Sequence, residues 1–296
     1  MNNLKYTHME NRKENSFSRM AYRHPEYKKK KNKFQRFINT PKGYLIMILI
    51  VLFAAGIWGS SLRQGLMNTG SAIMVAVLTD LAFAKLKNRQ KFKVDGGIIS
   101  ALILSMVLST EVPWYQVIII TFISILSKHL IVLNKKPIFN PAAFGLFVSI
   151  ILFSSGHSWW GGMSLLSPWL LLLVIIGGFA VTEKVNKFPQ VLTFLGVYFL
   201  FFALINLFHL KMTGEVFRPP FINSTLFLAF FMITDPPTSP AKYKDQIIFG
   251  FMAAAVSIAA YLEIGGLTYL LDGLLLANIW KALAVPKRKK LHSVNK

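Results

Sequence analysis

Long apolar stretches alternate with short polar ones along most of this chain, and the alternation predicts helices. Ten runs stand out, at residues 44–61, 67–84, 97–110, 114–133, 141–154, 168–182, 190–209, 221–234, 246–262 and 273–285. A straight membrane span needs ~20 apolar residues, and most of these runs approach that length. Runs 97–110, 221–234 and 273–285 fall short, which suits half-helices, segments sheltered by protein, or local thinning of the bilayer. The pattern predicts an all-α integral membrane protein with about ten transmembrane helices. Around it lie a basic tail at 1–43 and a second basic tail at 286–296, leaving 44–285 as one membrane domain.

Composition agrees. Hydrophobic residues make up 54% of the 296 and charged ones 15%, far below the quarter or so usual in soluble domains. A net charge of +21 would point to nucleic acid in a soluble protein. Here it is explained by orientation. With the N-terminus in the cytoplasm, 30 of the 33 Lys and Arg fall inside, and only Arg63, Lys211 and Arg218 fall outside. This predicts a multi-pass protein of the cell membrane with both termini cytoplasmic. The run Lys28 to Lys31 reads as a topology-fixing tail that touches anionic lipid, and no nucleic-acid motif accompanies it. The chain has no cysteine, which excludes thiolate-held clusters and disulfides within it.

Runs one to five and six to ten start about 123 to 132 residues apart, pair by pair. An odd number of spans per repeat makes the halves inverted, so the spacing suggests a five-plus-five repeat with broken or half helices. Asn140-Pro141 would open the fifth span from inside and Asp272-Gly273 the tenth from outside. Asn and Asp also simply cap helices, so chance recurrence competes with the repeat.

The segment 230–242 (FFMITDPPTSPAK) runs an apolar helix straight into Thr234, Asp235, Pro236 and Pro237. Proline removes a backbone donor and restrains its predecessor, so the helix ends near Asp235. The result is either a plain stop and turn, or a broken-helix site at depth. Asn140-Pro141 lies on the same side. Two such ends facing each other would bind a polar ring system or an ion, with Asn140, Thr234 and Asp235 as the contacts. Elsewhere Asp80, His129, His157, His209 and Glu263 stand singly, and no metal-ligand pattern emerges. Trp159 and Trp160 read as an interfacial belt anchor or as a lid over an outer cofactor. Polar Asn206, Asn223, Ser224 and Thr225 keep a second function open, that of a channel or transporter for a small solute or ion.

MITDPPTSP, Gly250, Gly265-Gly266 and the run from Asp272-Gly273 to Asn278 resemble one membrane family. Asp95-Gly96-Gly97 and the stretch from Asn140-Pro141 to Gly145 look like its N-terminal half, in order. The family comprises the D subunit of the Rnf electron-transport complex and the B subunit of the sodium-translocating NADH:quinone reductase. The resemblance implies a component of an oxidoreductase complex that passes electrons across or within the membrane through flavin (FMN or riboflavin) or quinone, with ion transport as a further family trait. Its implied partners are other membrane subunits and a flavinylated extracytoplasmic protein, with no nucleic acid. Family members carry covalent FMN on the threonine of a Ser-Gly-Ala-Thr motif. The matching stretch here, Gly161 to Leu166, has no threonine, and its neighbours Ser155, Ser158, Ser164 and Ser167 lack the motif. The resemblance therefore implies flavin held without a bond, or no cofactor of its own.

Overall fold

Each of the ten apolar runs is a helix in the computed structural model, which describes residues 32–88, 94–209, 213–265 and 268–294, with Lys33 and 285–294 described by backbone alone. The basic residues at 1–31, 89–93 and 211, Gly266, and the side chains of the second basic tail lie outside the described residues. The chain divides at Phe37–Ile38 into two units, and among the described residues the first holds the start of a short helix, Lys33–Ile38. The second, Ile38–Lys296, holds the membrane helices.

Its helices are α1 (Pro41–Gly56), α2 (Leu62–Leu86), α3 (Asp95–Val107), α4 (Trp114–Leu130) and α5 (Pro141–Phe153), then α6 (Leu171–Val185), α7 (Phe188–Leu207), α8 (Phe221–Phe227, continued as a π-helical turn Leu228–Met232), α9 (Tyr243–Glu263) and α10 (Tyr269–Val294). Local chemistry sets several starts. The Thr40 hydroxyl accepts from the Gly43 N–H at 3.1 Å with Pro41 following, and Asn140 caps α5 in the same way ahead of Pro141. Leu66, Met74 and Leu78 on α2, and Leu192 and Leu200 on α7, are exposed. Apolar outer faces of this kind suit lipid, and the protein is an integral membrane protein.

The packing repeats. In the first half α2 packs on α3 and α4, α4 on α5, and α1 on α3; in the second, α7 packs on α8 and α9, α9 on α10, and α6 on α8. Shifting every helix number by five turns one set into the other. The halves meet through equivalent partners, α1 against α6 and α5 against α10. Some lengths repeat too: α1, α2, α6 and α7 are long enough to cross a bilayer and α3 and α8 are short, whereas α4 and α5 are shorter than their counterparts α9 and α10. This is the pattern of an inverted repeat with a half-length helix in each half.

Four details differ from the sequence expectations. Helix α10 starts at Tyr269, where the Thr268 carbonyl accepts from the Leu271 and Asp272 N–H groups, so Asp272-Gly273 lies in the first turn and does not open the helix. Its backbone also continues to Val294, well past the expected end at 285. Run 114–133 stops as a helix at Leu130. It gives way to a small hairpin, β1 (Val132–Leu133) against β2 (Lys136–Pro137), whose turn residues Asn134 and Lys135 both have positive φ. Trp159 and Trp160 are neither belt nor lid. Both are fully buried, and the Trp160 indole N–H donates to the Ser105 and Leu108 carbonyls at 3.0 and 3.1 Å, plugging the gap beside α1, α3 and α8. An indole that finds acceptors inside a bundle has no need of the interface. The exposed tryptophans are Trp58, Trp114 and Trp169, which the topology places at one end of the bundle.

Candidate ligand-binding site

The end of α8 is where the backbone leaves helical geometry, so its orphan carbonyls pose the first question. Among the described residues, side chains from five different segments answer it. The Asn140 amide donates to the Met232 carbonyl at 3.0 Å and Gln190 to that of Ile233 at 2.7 Å. Lys281 donates to Pro237 at 2.7 Å, Asn278 to Thr238 at 3.1 Å, and Gln246 to Ala241 at 3.1 Å. Lys187 donates to Pro240. Six carbonyls between 232 and 241 are thus held by side chains, and the Pro-rich segment is a built loop rather than a slack turn. The π turn of α8, with its Ile233 N–H bonded to the Leu228 carbonyl at 2.9 Å, releases Met232 and Ile233 for these partners.

Close crossings support the loop. In α9, a Cβ at Gly250 would run into the Gln190 backbone, so glycine lets α7 carry Gln190 to the break. In α3, a Cβ at Gly97 would occupy the place of the Asp80 carboxylate. That carboxylate accepts from Lys128 at 2.7 and 2.9 Å and pairs with the His129 Nε2 at 2.7 Å. His129 also stacks on Phe83 at 4.5 Å.

Between these parts lies a cavity of about 1000 Å³, roomy enough for a small-molecule cofactor. The first turns of α1, α3 and α5, the ends of α2 and α4, the β1–β2 hairpin and the Asp235-Pro236-Pro237 break all reach it. Its walls are apolar at Leu45, Ile99, Ile103, Ala142 and Phe231. Its polar groups include five lysines, His129, Asn140 and Asp235.

The residues expected from sequence divide here. Asn140 and Asp235 line the cavity together with Gly96, Pro141 and Pro236. The amide of Asn140 is already committed to Met232 and to its own cap. Thr234 is buried away from the cavity lining, its hydroxyl donating to the Phe230 carbonyl at 2.6 Å. Asp95 sits in the first turn of α3, while Asp272 and Gly273 belong to α10, where Gly273 meets the Ala253 carbonyl and Ser257 of α9. Of the polar residues weighed for a solute path, Asn206 is exposed and Asn223 is buried, donating to the Gly162 carbonyl at 2.8 Å. Neither lines this cavity.

Several site residues were not read from sequence. Asp80 and His129 were seen singly, but their meeting depends on α2 and α4 packing side by side. Gln190 and Asn278 carried a usable signal, being amides inside apolar runs that need partners. Electrostatics at the loop are set by burial. It pushes the Asp235 carboxyl above its ordinary range, against the Thr238 hydroxyl and the Lys42, Lys281 and Lys128 charges, and it lowers Lys187 to about 8 despite Asp235.

The sequence matches the family described as NQR2, RnfD, RnfE over residues 34–166 and 159–280. It is 24% identical to the D subunit of the proton-translocating ferredoxin:NAD(+) oxidoreductase complex of Clostridium ljungdahlii, across 63% of this chain and 71% of that protein.

Proposed function

The chain belongs to the NQR2, RnfD, RnfE family, and we propose that it is an electron-carrying membrane subunit that holds a non-covalent flavin in the cavity beside the α8 break. The observation that carries this reading is the cavity itself, with apolar walls and a set of polar groups beside the loop that ends α8. Its dimensions and donor set fit a flavin. Leu45, Ile103 and Phe231 offer the apolar faces that a planar ring stacks against, and Asp235 offers a polar edge contact. A bound flavin would supply the means to accept and pass on electrons. The protein's share is to seat the ring, to keep lipid and bulk water from it, and to hold Asp235 beside it.

The charge asymmetry supports a cytoplasmic position for the cavity end, with both termini on that side. Electrons then pass between a cytoplasmic or membrane donor and an outer acceptor, in company with other membrane subunits and a flavinylated extracytoplasmic protein. Covalent FMN on this chain is not part of the reading. The α5–α6 loop has no threonine, and Ser164 donates its hydroxyl to the Ser158 and Trp159 carbonyls at 2.8 and 3.2 Å. Purification from native membranes tests the proposal. Flavin should co-purify, leave the protein on denaturation, and be reduced in yield by Phe231→Ala. A preparation without flavin that also fails to quench added flavin overturns it.

A further inference from the structure

The five-helix shift that relates the two halves also relates places in the bundle. The cavity is bounded by the first turn of α3 at Gly96, the last turn of α6 at Val185 and the π turn of α8 at Phe231. The shift turns these into the first turn of α8, the last turn of α1 and the end of α3, at the opposite end of the bundle. That place is filled by the chain's own turn Trp160–Gly162, in the α5–α6 segment. The Trp160 ring lies 5.5 Å from that of Phe53 in α1, edge to face. An added Cβ at Gly161 would stand 2.6 Å from Met106 of α3, and one at Gly162 3.0 Å from the Asn223 carbonyl of α8. In the second half α10 runs on as helix to Val294, so among the described residues no equivalent turn enters the cavity.

The indole stands where a ligand ring would. Orphan carbonyls at the end of α8 are met by the amides of Asn140 and Gln190. Those of Ser105 and Leu108 at the end of α3 are met by the Trp160 ring N–H. The turn is bracketed by Trp159 and Met163, whose φ values of 50° and 63° are costly for residues other than glycine and cluster at ligand clamps. The fit is also incomplete. Trp159 Nε1 and Asn223 Oδ1 are buried beside the turn with no partner among the described residues, whereas polar groups that only complete a core are normally paired.

We propose that this counterpart of the cavity is a second ring-binding site, suited to a planar aromatic heterocycle with an N–H at its edge, which the chain holds shut with the indole of Trp160. One of two repeat-related sites is thereby open and the other self-occupied. The inference is independent of what the open cavity holds.

Free indole is the probe, added to the full chain in detergent. Trp160→Ala empties the place and should melt about 5–10 °C below wild type. Indole at about ten times its dissociation constant should then raise the melting temperature by about 3 °C, and a fluorinated indole should give a bound resonance in fluorine NMR. Wild type should show neither effect, and nor should Trp58→Ala, which removes an exposed tryptophan. Trp160→Phe keeps a ring and loses only the N–H, so it should fold and stay unresponsive. If Trp160→Ala can be purified only with indole present, the site is supported in the same way. A folded Trp160→Ala that ignores indole overturns the proposal, because the place has then collapsed as ordinary core. Equal responses from wild type or Trp160→Phe overturn it by showing that indole binds elsewhere. A Trp160→Ala variant that indole cannot recover overturns it too, since a free ring then does not replace the side chain.

Discussion

The backbone N–H of Asn140 donates to the side-chain Oδ1 of Asn278 at 2.8 Å, joining the cap of α5 to the middle of α10 across the two halves of the repeat. The same Asn278 passes its Nδ2 to the Thr238 carbonyl at 3.1 Å. One fully buried amide therefore satisfies a donor of the first half and an acceptor of the α8 break.

Asn278→Ala leaves both groups without partners. Each orphan costs roughly 1–3 kcal/mol, so a loss of about 2–4 kcal/mol is expected after partial relaxation. Asn278→Asp keeps the acceptor for Asn140 and loses the donor for Thr238, and should fall between alanine and wild type. Thermal unfolding in detergent measures the series. An alanine variant as stable as wild type would mean that the two halves are held together elsewhere.

Much of the fold was legible because helices that face lipid announce themselves by length and charge alone. All ten runs became helices, and the spacing that hinted at a repeat reappears in the packing pairs. The break at Asp235 was legible for the same reason, since proline acts locally. What stayed hidden depends on neighbours. Trp160 has the composition of a belt residue, and only the crossing of α1, α3 and α8 over its loop shows that it is core. Thr234 was expected as a ligand contact from its place beside Asp235, but a helix-end threonine can turn its hydroxyl to the carbonyl four residues back, and this one does. The place of Lys42 on the cavity wall was hidden as well, because it was counted as part of a tail and its approach to Gly96 is set by α1 and α3 packing together.

Asp80 is nearly inaccessible, with its side chain 3% exposed, while Lys128 retains some contact with solvent at 21%. Asp80→Asn keeps the shape and removes the charge that balances Lys128 and His129. A loss of roughly 1–3 kcal/mol is expected, below the cost of a fully buried pair because Lys128 can turn outward. Adding Lys128→Met to this variant should restore part of the loss, since it removes the orphaned charge. Strict additivity in the double-mutant cycle would show that the pair is not energetically coupled.

His157 lies in the α5–α6 segment, bridged to Leu108 and buried. Ser149 donates its hydroxyl to the Leu146 carbonyl at 2.7 Å, so it accepts from the His157 Nε2–H at 3.0 Å. Nδ1 is left as an unpaired acceptor among the described residues. A proton there would create a buried donor and a charge together, and burial alone lowers this histidine to about 4. In the unfolded chain it titrates near its ordinary 6.5. Below that value the unfolded state takes a proton that the folded state refuses. Stability is therefore full above pH 6.5 and declines as pH falls from 6.5 towards 4, with no further loss from this group below its folded value. His157→Gln can keep a donor to Ser149 and has no titration. The wild-type-minus-variant difference in melting temperature should then shift against wild type across that window and stay flat from pH 7 to 8. A difference constant from pH 4 to 8 would mean that His157 is protonated as readily folded as unfolded, and that the outer segment opens to water around it.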